Sequence, residues 1–275
     1  MSCTALQNEL DALEERRREQ IQIIDSLPDN PGRQAAEGVL ADIEADIVTT
    51  SAELEECLAE RPTPQPILGK LDKIECAAAS REVGHDEPYV LIATFDLLNV
   101  INLGIIGVNY PAINVVKVGP WSGVDKYDTR YSSSLASSKR QPFWDLDGQA
   151  RTIANPQDVI FLVAFLENDQ GSPDIIRGVV RDNLLNARAT NTNRAYAAYV
   201  TTMISNFRAA IDASAGVVLA DDVIGNVRQL SLTTDDLAKL NSTIPDTVVK
   251  TLRFTTKKAN GDIVNDYTAS FKFTV

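Results

Sequence analysis

The stretch Tyr89-Val90-Leu91-Ile92-Ala93-Thr94-Phe95 constrains this chain more than any other. In an extended backbone Tyr89, Leu91, Ala93 and Phe95 fall on one face, and Val90, Ile92 and Thr94 on the other. Period 2 with β-branched and aromatic residues reads as a strand. Because both faces are apolar, both need cover. The strand leaves a polar turn, Val83-Gly84-His85-Asp86-Glu87-Pro88, whose exit Pro88 stiffens. The central strand therefore begins at a small acidic turn.

Other segments repeat that pattern. Leu71 to Ala78 alternates, with Ile74, Cys76 and Ala78 on one face. Asp158 to Leu166 is a short apolar run, read as a buried strand, and it ends in a second acidic turn, Glu167-Asn168-Asp169-Gln170-Gly171-Ser172-Pro173-Asp174. Asp221-Asp222-Val223-Ile224-Gly225 makes a third, leading into Val227–Leu232. Thr251–Thr256 and Tyr267–Val275 flank a turn at Asn260-Gly261-Asp262 and predict a terminal hairpin. Between about 174 and 215 the spacing changes to 3–4. Ile175, Val179, Leu184 and Leu185 predict one helix, and Tyr196, Tyr199, Val200, Met203, Ile204, Phe207 and Ile211 a second. Residues 97–140, rich in Gly, Asn and Ser, read as irregular, with two short strands near Phe95–Val100 and Val115–Val118.

The first sixty residues are different in kind. They hold fifteen acids against four arginines, whereas the rest of the chain carries 23 acids and 22 bases. Leu6, Leu10, Leu13, Ile21, Ile24 and Leu27 keep a 3–4 spacing, as do Ala36, Leu40, Ile43, Ile47, Leu54 and Leu58. Leu27-Pro28-Asp29-Asn30-Pro31-Gly32 stops one helix and turns the chain. Folded antiparallel, the arms face residues whose numbers sum to about 60, so Leu6 meets Leu54 and Leu13 meets Ile47. The same symmetry sets Cys3 opposite Cys57, a candidate disulfide that would imply an oxidising, extracellular setting. Cys76 is expected to be buried and inert. Arg61-Pro62-Thr63-Pro64-Gln65-Pro66 reads as a stiff linker. The expected organisation is thus an acidic helical hairpin over 1–60, a Pro-rich linker over 61–66 and a β-body over 67–275.

Several short strands with acidic turns at their ends suggest an antiparallel sandwich. Four segments, in order, resemble the C2 domain over about residues 71–275. They are Gly84-His85-Asp86-Glu87-Pro88-Tyr89-Val90, Pro142-Phe143-Trp144, Val163-Ala164-Phe165-Leu166-Glu167-Asn168-Asp169 and Asp221-Asp222-Val223-Ile224-Gly225. The resemblance implies an eight-stranded β-sandwich. Many C2 domains bind Ca²⁺ between loops at one end and dock on phospholipid, while others bind proteins without metal. The chain departs from the pattern in three ways. About fifty mostly helical residues separate Asp169 from Asp221. Ser80, Arg81 and Glu82 stand where the family has its first-loop aspartate. Glu167 stands where it has Asp.

Calcium takes six to eight oxygens, several from carboxylates held on loops. If the strands before these turns end together, Asp86, Glu167, Asp169, Asp221 and Asp222 gather, and crowded carboxylates favour a cation. The competing reading is that these acids cap turns or face solvent.

Enzyme chemistry finds little support. His85 is the single histidine, and there is no Cys-x-x-Cys, Walker loop or Gly-x-Gly-x-x-Gly. Asp145 and Asp147 at i, i+2 read as turn residues, and Trp121 and Trp144 as packing. A net charge of −12 argues against nucleic acid as a partner. No signal peptide or membrane-spanning run is visible. The expectation is an α+β protein: an antiparallel α-hairpin, then a C2-like sandwich with a helical insertion. Its expected role is a non-enzymatic binding module, with Ca²⁺ at the rim and a lipid surface or protein as target. The alternative is an assembly protein whose hairpin oligomerises and whose sandwich is a metal-free scaffold.

Overall fold

The computed structural model describes residues 3–26, 31–59, 64–79, 86–102, 109–144, 151–168, 172–188, 195–214, 221–242 and 246–275. The chain divides into two compact units, Met1–Thr63 and Pro64–Val275.

The first unit is a helical pair, α1 (Cys3–Ser26) and α2 (Pro31–Ala59). Leu6, Leu13 and Ile24 of α1 and Ile43 and Leu54 of α2 are buried in its seam. Leu6 packs on Leu54, with Leu10 and Cys57 beside them. Arg17 Nε bonds Glu44 Oε1 at 2.9 Å, and Gln20 Nε2 donates to the Ala36 carbonyl at 2.9 Å. These contacts hold the antiparallel register that the two leucine stripes specify. Cys57 is disulfide-bonded. The side chain of Cys3, its expected partner, lies outside the described residues.

The second unit is an antiparallel sandwich with helices on one outer face. Its strands are β1 (Pro66–Ala78), β2 (Pro88–Asn102), β3 (Asn109–Val118), β4 (Thr129–Tyr131), β5 (Arg151–Thr152), β6 (Val159–Glu167), β7 (Asp222–Leu230), β8 (Val248–Lys257) and β9 (Ile263–Thr274). One sheet runs β4-β1-β9-β8, with two-residue β5 pairing the start of β1; the other runs β3-β2-β6-β7. The fold is therefore α+β: a helical pair followed by two antiparallel sheets.

β2 and β6 are covered on both sides, which is why their sequences read as unbroken apolar runs. Val90 and Ile92 join Phe161, Val163 and Phe165 in the core between the sheets. Tyr89, Leu91, Ala93 and Phe95 join Ile160, Leu162, Ala164 and Leu166 on the opposite face. There they meet α3 (Pro173–Arg188) and α4 (Tyr196–Ser214). The apolar stripes are Ile176, Val180 and Leu184 on α3, one residue on from the expected Ile175 and Val179, of which Ile175 is 50% exposed, and Tyr199, Met203 and Phe207 on α4. Three cations fasten α3 to β3. Lys117 Nζ lies 2.8 Å from Asp174, Arg177 donates to the Val115 carbonyl at 3.4 Å, and Arg188 to that of Pro111 at 2.9 Å.

The core between the sheets is aromatic. The Phe143 ring meets Phe161, Phe271 and Phe273 edge-on, with centroids 5.3, 6.0 and 5.6 Å apart. Gly69 makes room for it, because a Cβ there would sit 2.9 Å from the Phe143 ring.

Two strands differ from the lengths read in the sequence. β2 and β3 extend to Asn102 and back from Asn109, where Asn and Gly suggested irregular chain. A register shift between Asp96 and Val100 lets the ladder continue past those residues. A second bulge, between Leu71 and Lys73 on β1, puts both Leu71 and Ile74 in the core and resets the alternation. One helix, α5 (Thr234–Leu240), carries a capping box between Thr233 and Asp236.

Candidate functional site

The acidic turns meet through strand register. Pro88 of β2 pairs with Glu167 of β6, and Glu167 pairs with Asp222 of β7. Asp86 stands two residues before Pro88 and bridges to Val124. Asp86, Glu167 and the Asp221–Asp222 step thus occupy one rim of the sandwich. Asp169 lies outside the described residues, as do His85, Asp145 and Asp147.

The rim carboxylates divide between two faces. Asp86 faces the gap between the sheets: it is 2% exposed, and its Oδ2 accepts the Tyr267 hydroxyl at 2.5 Å. Glu167 continues the inward row Phe161, Val163, Phe165 by period 2 and is buried. Its cross-strand partner Asp222 lies on the same side, at the exposed lip. Asp221 serves the other face. Its Oδ2 accepts the hydroxyl of Tyr89, at 2.9 Å, and Tyr89 belongs to the helix-covered layer.

The two tyrosines are held strongly neutral. Burial, then the neighbouring Asp221, pushes Tyr89 far above its ordinary 10.0. Burial, then the bonds to Asp86 and Cys76, does the same to Tyr267. Tyr267 also stacks on Phe165, with centroids 4.8 Å apart, and so spans the two sheets. Cys76 is a free, buried thiol, and burial raises its pKa to about 11, which leaves it unreactive.

Backbone bonds tie the rim segments together. Val124 N–H donates to the Asp86 carbonyl at 3.0 Å, Trp121 N–H to that of Pro88 at 3.0 Å, and Asn168 N–H to that of Glu87 at 3.1 Å. The Asn168 amide also donates to Glu87 Oε2 at 3.0 Å. Asn265 lies two residues before Tyr267 on the inward side of β9. It is 5% exposed, and its Oδ1 accepts no hydrogen bond among the described residues.

Tyr89, Tyr267 and Asn265 were not flagged as site residues from the sequence. Asn265 had a signal, because it breaks the inward row Tyr267, Ala269, Phe271, Phe273. The tyrosines had none beyond their strand positions.

Carboxylate and amide oxygens are the donors a hard cation takes. Among the described residues, however, no group of three or more His, Cys, Asp or Glu is placed to hold a metal ion. A calcium site would therefore need acids outside the described residues, of which Asp169 is one. No described helix is long and apolar enough to cross a membrane.

No protein-family model and no curated protein matches the chain. Among solved structures, one similar chain comes from a structure titled "CC2D1B coordinates ESRCT-III activity during the mitotic reformation of the nuclear envelope". The likeness has a TM-score of 0.27 and 9% identity, covering 98% of this chain and 88% of that one. A likeness at that level carries no argument about function.

Proposed function

We propose that this chain is a non-enzymatic binding module whose binding end is the acid-bearing rim of a C2-like sandwich. The kinship is supported by the build. Eight of the nine described strands form two four-stranded antiparallel runs, and the motif segments around Asp86, Glu167 and Asp222 fall at one rim. The observation that carries the reading is the register Pro88–Glu167–Asp222, which sets acids from neighbouring strands side by side.

Glu167 and Asp222, together with Asp169 and other acids outside the described residues, are the residues that would hold Ca²⁺. The ion would supply the positive charge that lets an acidic rim approach an anionic lipid surface. Tyr267 keeps the Asp86 carboxylate turned into the inter-sheet gap, and Asn168 ties the neighbouring turn.

Co-sedimentation of the full chain with phosphatidylserine vesicles tests the reading. Binding in millimolar Ca²⁺ that is lost in chelator, and lost in Asp222→Asn, supports it. Equal sedimentation in Ca²⁺ and chelator overturns the calcium-dependent form. A protein target would appear as no vesicle binding together with a calcium-dependent rise in melting temperature.

A second reading, assembly through the helical pair, is favoured by one observation. Val48 is 70% exposed and Val39 47% on α2, away from the seam.

A further inference from the structure

The outer face of the β4-β1-β9-β8 sheet carries an unusual charge pattern. Lys70 of β1 and Lys272 of β9 are direct cross-strand partners. Both point away from the core, since their neighbours Leu71, Phe271 and Phe273 lie inside it. Like charges directly opposite one another destabilise a sheet. The nearby cations are each answered: Lys73 by Glu75 at 3.0 Å, and Arg253 by Asp266 at 2.5 Å. Among the described residues Lys70 and Lys272 have no such partner. On the other side of Lys272 lies Val249, 56% exposed. Two lysines side by side without an ion pair among the described residues, in a chain of net charge −12, offer positive charge to an anionic partner.

The chain itself carries a matching surface. Asp42, Asp46, Glu53 and Glu56 are all exposed on α2 and recur at 4-, 7- and 3-residue steps, one helix face. None of them makes an ion pair among the described residues, unlike Glu37 with Arg33 and Glu44 with Arg17. Carboxylates one helical turn apart stand about 5–6 Å from each other at Cβ. Cross-strand residues in an antiparallel pair stand about 4.5–5.5 Å apart. The Asp42–Asp46 step therefore matches the Lys70–Lys272 step in spacing and opposes it in sign.

We propose that the Lys70–Lys272 face is a docking surface for the acidic face of α2 from a second copy of this chain. Giver and receiver are different patches, so the contact is head-to-tail, and each copy can do both. It is independent of the rim and of the apolar residues on the helical pair. Exposed charges drive it, so it is weak and salt-sensitive.

Sedimentation velocity of the full chain tests this, from about 1 to 100 μM, at about 50 mM and about 500 mM salt. The average mass rises with concentration at low salt and returns to monomer at high salt. Lys70→Glu with Lys272→Glu weakens association at least about tenfold and leaves the melting temperature unchanged, and so does Asp42→Lys with Asp46→Lys. Mixing the two double variants restores association, because one still gives and the other still receives. A monomer at every concentration overturns the proposal, as does association that ignores either double substitution. Association that persists in high salt overturns it too, pointing to the apolar residues of the helical pair and leaving the rim reading untouched.

Discussion

Tyr267→Phe removes one oxygen and nothing else from the inter-sheet end of the rim. The ring keeps its stack on Phe165, so packing is conserved and the hydroxyl is isolated. What is lost is the donor to Asp86, which is 2% exposed, together with the bond to the buried Cys76 thiol. A hydrogen bond to a charged group is worth about 1.5–3 kcal/mol net, and its loss leaves a buried acceptor short of a partner. The expected cost is about 2 kcal/mol, which for a body of this size lowers Tm by about 4–8 °C. Urea denaturation with matched slopes measures it, and pairing the change with Asp86→Ala in a double-mutant cycle isolates the bond. A coupling of about 1 kcal/mol or more is the expected result. A Tyr267→Phe variant within about 0.5 kcal/mol of the parent refutes the claim that this bond braces the rim.

Tyr89 and Tyr267 stay protonated in the fold well above 10.0, while unfolded tyrosine ionises there. Stability therefore falls as pH rises past 10, and absorbance titration shows Tyr89 and Tyr267 among the tyrosines that ionise only on unfolding, beside Tyr199, which burial pushes up to about 12. The hydrogen bond from Arg253 holds Asp266 below its ordinary 3.8, so that pair contributes stability above this pH and loses it as pH falls below; Asp266→Asn flattens the acid limb of a stability curve. Gly225 has φ +73°, and a Cβ there would lie 2.9 Å from the Thr255 nitrogen, so Gly225→Ala costs about 1–3 kcal/mol by chemical denaturation. Cys57→Ser removes the disulfide and lowers the stability of the helical pair by about 2–4 kcal/mol, read as helicity lost on heating by circular dichroism.

The elements with long periodic signals were legible before the structure. The two-faced apolar run at Tyr89–Phe95 demanded cover on both sides, and the sheets and helices supply it. The sum-to-60 register of the helical pair follows from leucine spacing and reappears in the Leu6–Leu54 contact. The strands read before the acidic turns do pair, Pro88 with Glu167 and Glu167 with Asp222, while Asp169, expected at the same rim, lies outside the described residues. What could not be read was the sidedness. Asp221 and Asp222 are adjacent, so they point to opposite faces, and only the location of Tyr89 decides which one serves the helix layer. The reach of β2 and β3 past their Asn-rich ends was hidden because a bulge is a property of pairing, which neither strand shows alone. The partners of the rim acids were hidden for a similar reason: Tyr267 lies 181 residues from Asp86.

Thermal unfolding of the full chain in millimolar Ca²⁺ and in chelator tests the cation-bearing rim most directly. A ligand at about a hundred times its Kd stabilises the native state by about 2.7 kcal/mol, here a rise of about 5–10 °C. The account predicts that rise in the parent chain and its loss in Asp222→Asn. Superimposable melting curves in calcium and chelator would contradict it.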